Sequence, residues 1–126
     1  MIYINNFMNK ALTLLLMKKT KAHYYQQVWD VTCQIPSGRV STYGAIADYL
    51  ALGSARMVGW ALRQSMGNGP IPAHRVVNRK GELTGRHHFP EPGMMQALLE
   101  AEDVVVENDC VVDFEKLFWH PAQLDE

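Results

Sequence analysis

The chain has 126 residues, 48% of them hydrophobic, and a formal net charge of -1 at pH 7, which supplies one compact core and argues against a multi-domain enzyme. Its two cysteines, Cys33 and Cys110, fit neither a disulfide framework nor the paired spacing of a zinc site, so a reducing cytosol is the expected compartment. The near-neutral total hides an asymmetry, because residues 39–88 carry seven Lys and Arg against two acids, a net of +5, whereas residues 91–126 carry ten acids against Lys116, a net of -9.

In chain order, the first apolar run is "ALTLLLM", residues 11–17, too short for a bilayer span of roughly 20 residues. Lys18, Lys19 and Lys21 follow it where a signal peptide would carry the small residues of a cleavage site. Residues 1–21 are therefore expected to be an N-terminal extension, either a short docking helix or a loosely ordered leader, and residues 22–126 the domain proper. Tyr24, Val28, Val31 and Ile35 stand at helical spacing, and Pro36-Ser37-Gly38 stops that helix.

Residues 40–66 hold two short helical patterns separated by Leu52-Gly53-Ser54. Thr42 is expected to cap the first and Ser54 the second. Ile46, Ala47 and Leu50 form one core stripe, and Ala55, Val58 and Leu62 the other. Two helices joined by a tight Gly-containing turn make a helix-turn-helix, although an ordinary helical hairpin has the same outline. The segment "HRVVNRKGELTG" has an apolar pair, a polar turn with Gly81 and a second short run, which predicts a small hairpin. Pro92 opens a further helix with Met95, Leu98 and Leu99 on one side. The end of the chain reads as two short strands and an aromatic finish that packs on the core. The expected fold class is mainly α with small β, a winged helix-turn-helix domain.

The basic middle and the acidic end suggest a face for a polyanion backed by a face that repels it; two ordinary solvated surfaces are the alternative on charge alone. The motifs favour the first. "IPSGRVSTYGAIADYL", "SARMVGWAL", "IPAHRVVNRKGELTG" and "LLEAED", in that order from about residue 24 onward, resemble the DNA-binding domain of O6-alkylguanine-DNA alkyltransferases. The resemblance is closest to the alkyltransferase-like proteins, which lack the acceptor cysteine. In the transferases the third motif reads Pro-Cys-His-Arg; here it reads Pro72-Ala73-His74-Arg75. A methyl side chain has no lone pair with which to attack carbon, so dealkylation at Ala73 is excluded. Many alkyltransferase-like proteins have tryptophan there, and alanine widens the pocket instead of filling it.

The resemblance implies a DNA-binding surface of Thr42, Tyr43, Ala55, Arg56, Gly59 and Arg63. Arg56 would fill the gap left by an extruded base, the alternative being a generic phosphate contact. Tyr43 would press on the target phosphate, the alternative being a half-buried core tyrosine. Ala55 and Gly59 are small where the helix would approach the minor groove, and packing explains Gly59 nearly as well. Arg63, one heptad after Arg56, suits a phosphate contact. The lesion pocket would be formed by Leu62, Pro72, Ala73, Val76 and the segment "GRHHF", residues 85–89, with Arg86 stacking on or hydrogen-bonding the extruded base, the alternative being a surface-only role, and His87 and His88 as further donors. His74 and Glu102 match the residues that deprotonate the transferase thiol through water; without a thiol they read as a structural remnant, Glu102 an indirect partner of His74. Asn68 resembles the family's hinge asparagine, on a shorter loop.

The implied partners are double-stranded DNA containing O6-alkylguanine and the proteins of nucleotide excision repair, with no cofactor, metal or membrane, for a monomer acting in the cytoplasm at the nucleoid. One alternative is an enzyme with Cys33 or Cys110 as a relocated acceptor. Another is a winged-helix transcription regulator, for which major-groove readers and a dimerisation element would be expected and are not evident.

Overall fold

The computed structural model describes residues 24–66 and 69–125; the N-terminal extension and Asn68 lie outside the described residues. The stripe of Val28, Val31 and Ile35 is buried along the first helix, α1, described over residues 24–34. Pro36 ends it, and the Arg39 N–H closes the turn on the Pro36 carbonyl at 3.1 Å. A two-residue strand, β1 (Ser41–Thr42), leads directly into α2 (Tyr43–Tyr49). Thr42 is the N-cap, as its sequence position suggests: Ala45 N–H donates to Thr42 Oγ1 at 3.0 Å.

The second helix of the pair, α3 (Ala55–Ser65), follows the Leu52-Gly53-Ser54 turn. Ser54 holds the N-cap position, but its hydroxyl makes no capping bond. Its backbone carbonyl takes the Met57 N–H at 3.2 Å, and the exposed start of the helix leaves the remaining donors to water. Val58, Ala61 and Leu62 pack inward in one core with Ile46 and Ala47 of α2. Ala55, expected in that stripe, is exposed, because the first turn of α3 overhangs the α2 contact.

The expected hairpin over residues 74–85 is not formed. Val76 and Val77 make a strand, β2 (Val76–Val77), that pairs in parallel with β1, Ser41 opposite Val76 and Thr42 opposite Val77. The chain does reverse after it: Asn78 Oδ1 accepts the N–H groups of Lys80 at 3.0 Å and Glu82 at 2.8 Å, and Gly81 takes the left-handed conformation, φ +81°. The returning arm then bridges to Cys110 instead of to β2. The reason is burial on both faces. Val76 belongs to the core formed by α1, α2, α3 and Trp119, while Val77 belongs to a second core with Leu83, Met95, Leu99, Val104, Val106 and Val111. The β1–β2 pair thus separates two cores, and a strand buried on both sides reads as a continuous apolar pair.

The second core is closed by α4 (Met94–Glu100), which buries Met95 and Leu99, and by the two expected C-terminal strands, β3 (Val106–Glu107) and β4 (Cys110–Val111), which pair as an antiparallel hairpin. Its two-residue turn, Asn108-Asp109, has positive φ at both positions, the geometry that matches strand twist. A last short helix, α5 (Phe114–Leu117), returns the chain to β1, where Val40 and Phe118 form a parallel bridge and Trp119 enters the first core. The fold is mostly helical with small strand content around a helix-turn-helix.

Candidate nucleic-acid interface

The buried stripe of α3 leaves a solvent-facing one of Arg56, Gly59, Trp60 and Arg63, spaced three and four residues apart. That stripe forms one wall of a cleft of about 440 Å³, within the size range of ligand sites. Tyr43, at the start of α2, and Thr84, Gly85, His88 and Phe89, from a 3₁₀ segment (Thr84–His88) and its end, form the facing wall. Leu62, Met66 and Ala73 complete the lining. Ala73, 7% exposed, presents a methyl group there and no nucleophile.

Ten of the expected site residues therefore meet in one cleft: Tyr43, Ala55, Arg56, Gly59, Leu62, Arg63, Ala73, Gly85, His88 and Phe89. Others do not reach it. Thr42 is spent on the α2 cap. Val76 is fully buried between the cores. Pro72, half-buried, sits before Ala73 without lining the cleft. Arg86 faces away, its Nη1 donating to the Leu83 carbonyl at 2.9 Å and its Nε lying 3.5 Å from Asp109 Oδ2. His87 is exposed and outside the lining, whereas its neighbour His88 lines the cleft.

Local chemistry sharpens several of these positions. A Cβ built on Gly59 would meet nothing within 4 Å among the described residues, so packing against them does not explain that glycine. A Cβ on Gly85 would lie 2.8 Å from the Tyr43 hydroxyl, so the bare backbone of Gly85 is what lets the phenol reach its place. Burial pushes the Tyr43 phenol above its ordinary pKa, with the Thr84 hydroxyl partly opposing, and keeps it a neutral donor. Arg63 Nη2 donates to His88 Nε2 at 3.3 Å. Burial, then the Arg63 guanidinium and His87, hold the His88 imidazole below its usual value, which favours the neutral acceptor form.

Behind the cleft, His74 and Glu102 touch directly, Nε2 to Oε2 at 2.8 Å, where an indirect link was expected. The principal partner of Glu102 is a residue the motif comparison left aside: Arg75 grips it through Nε at 2.9 Å and Nη2 at 2.7 Å. Gly38 N–H adds a third donor at 3.2 Å. Burial opposes ionisation of Glu102, but these bonds, Arg75 foremost, outweigh it and bring the carboxyl down to about 2.

Trp60, Met66 and Thr84 also line the cleft and were not singled out in the sequence. For Trp60 a signal existed, since it lies four residues after Arg56 and three before Arg63 on the same helical face. The other two are placed by tertiary packing. Among the described residues no helix is long and apolar enough to cross a membrane, and no group of three or more His, Cys, Asp or Glu could hold a metal ion.

Comparison with known proteins agrees with this geometry. The sequence model of the family described as "6-O-methylguanine DNA methyltransferase, DNA binding domain" matches residues 23–104. The chain is 33% identical over 103 residues to alkyltransferase-like protein 1 of Schizosaccharomyces pombe, covering 78% of this chain and 95% of that one. It is 36% identical over 98 residues to the DNA base-flipping protein of Escherichia coli, covering 75% and 73%. The crystal structure of S. pombe Atl1 in complex with damaged DNA containing O6-carboxymethylguanine superposes with a TM-score of 0.71 at 31% identity, over 79% of this chain and 97% of that chain. The cleft built on α3, the matched motifs and these relatives together make the chain a member of the 6-O-methylguanine DNA methyltransferase DNA-binding-domain family, on its alkyltransferase-like side.

Proposed function

We propose that this protein recognises O6-alkylguanine in duplex DNA without removing the alkyl group. It binds through the minor groove with α3, turns the damaged nucleotide out of the helix into the cleft, and holds it for nucleotide excision repair. The observation that carries this reading is Ala73 in the cleft lining: a family member that dealkylates needs a thiolate where the base arrives, and a methyl group cannot attack carbon. Neither cysteine substitutes for it, since Cys33 is exposed on α1 and Cys110 sits in β4, both outside the lining. The relatives named for base flipping, and the neighbour crystallised with damaged DNA, support the same reading.

Extrusion of a base costs about a few kcal/mol, less where pairing is already damaged, and that difference is a source of selectivity. Arg56, exposed on the first turn of α3, fills the vacated space with a planar cation that stacks and hydrogen-bonds. Tyr43 offers its neutral hydroxyl to the displaced phosphate, and Arg63 neutralises the backbone alongside. Arg86 joins the pocket only after leaving Asp109, an exposed ion pair of small worth. The acidic C-terminal third faces protein partners of the repair pathway. The protein works as a monomer, in the cytoplasm at the nucleoid, and needs no cofactor.

The test is a titration, at fixed salt, of the protein with duplex DNA carrying one or no O6-methylguanine, followed by intact-protein mass measurement. Tighter binding to the damaged duplex with no mass gain is expected. A gain of one methyl group would make the protein an enzyme using a cysteine elsewhere, and equal binding to both duplexes would leave a general DNA-binding domain.

A further inference from the structure

Two of the three tryptophans are committed to the fold. Trp29 donates its indole N–H to the Ala61 carbonyl at 2.7 Å, and Trp119 lies in the first core. Trp60 is 48% exposed and has no hydrogen bond, ring contact or ion pair with another described residue. Its place gives that exposure meaning. One turn after Arg56 and just under one before Arg63, beside the bare backbone of Gly59, it stands on the cleft wall of α3. The stripe thus combines two cations suited to phosphates, a glycine that admits close approach, and a planar apolar face open to solvent.

When a nucleotide leaves a duplex, both the departing base and its neighbours lose a stacking partner. An aromatic side chain restores that contact for any base, because every base has a π face. The other aromatic rings of the cleft are occupied: Phe89 packs on both cores, Tyr43 is largely buried, and His88 accepts from Arg63. We propose that Trp60 is a base-stacking residue, packing its indole against a nucleobase unstacked by extrusion of the lesion. This rests on the damage-recognition reading above and adds a binding determinant to it.

The experiment uses the full chain, its Trp60→Ala and Trp60→Phe variants, and the two duplexes with and without one O6-methylguanine. Affinity and tryptophan emission are recorded together, with thermal melting to confirm that the variants fold. Trp60→Ala is expected to weaken binding to the damaged duplex by roughly tenfold or more and to the intact duplex by less, with Trp60→Phe retaining most of the preference. Lesion-dependent quenching of emission is expected in the wild-type chain and lost in Trp60→Phe, since Trp29 and Trp119 lie away from the cleft. An unchanged preference in Trp60→Ala, an equal loss on both duplexes, or the same quenching in Trp60→Phe would each overturn the stacking role while leaving damage recognition intact. Equal binding of the wild-type chain to both duplexes would instead overturn damage recognition, and the stacking role with it.

Discussion

Gly59 is a cost to the isolated protein, since glycine inside a helix is less favourable than alanine by about 0.5–1 kcal/mol. Nothing among the described residues requires it, because a Cβ there would touch none of their atoms within 4 Å. The open space lies on the wall that α3 gives to the cleft, so the requirement must come from what binds. Gly59→Ala is therefore expected to raise stability by about 0.5–1 kcal/mol in a urea titration and to weaken binding to DNA in the same preparation. Opposite signs in the two measurements would separate a contact made with DNA from one made within the fold. Lower stability in the variant would mean that the glycine serves packing after all. Ala73 follows the same logic from the other side, a residue whose smallness leaves room and whose chemistry forbids transfer.

At the scale of elements, the two caps of the helix-turn-helix look alike in sequence and behave differently. Thr42 takes the Ala45 N–H, whereas the Ser54 hydroxyl takes none. Thr42→Ala is expected to cost about 1 kcal/mol of stability, and Ser54→Ala only a few tenths, both read from denaturation midpoints at matched slope. Equal losses would place a capping bond at Ser54 in solution. The helices themselves were legible because a 3.6-residue period shows which side is buried: Val28, Val31 and Ile35 on α1, Ile46 and Ala47 on α2, Val58 and Leu62 on α3. The predicted hairpin failed where the period gave no information, since Val76 and Val77 serve different cores and two apolar neighbours do not reveal their partner strand. The cleft divides in the same way. Residues on α3 and in the loop after Leu83 could be assigned to it by the motif resemblance, but which of Arg86, His87 and His88 turns inward was not legible, because that depends on contacts with Asp109 and Arg63.

Across the whole molecule, Glu102 joins segments that are far apart in the chain and meet behind the cleft. Its carboxylate holds His74 and Arg75 next to Ala73 and the Gly38 N–H after α1, and Arg75 Nη1 reaches on to the Ile35 carbonyl at 2.8 Å. The His74–Glu102 pair, joined by Arg75, thus acts as a clamp beside Ala73. The clamp depends on charge. Glu102 ionises at about 2 in the folded protein against 4.5 for the free side chain, so as pH falls the unfolded chain takes up the proton first. Its contribution is complete above about 4.5 and is lost as pH falls toward about 2. The difference corresponds to about 3 kcal/mol at neutral pH. Glu102→Gln keeps the shape, removes the charge and leaves Arg75 without its partner, so it is expected to lower stability at pH 7 by about 2 kcal/mol or more. Its loss of stability between pH 4.5 and pH 2.5 is expected to be shallower than that of the wild-type chain. Urea titrations of both proteins across that window provide the check: parallel acid limbs would show that the carboxylate is not the group whose protonation loosens the two cores, and converging ones would show that it is.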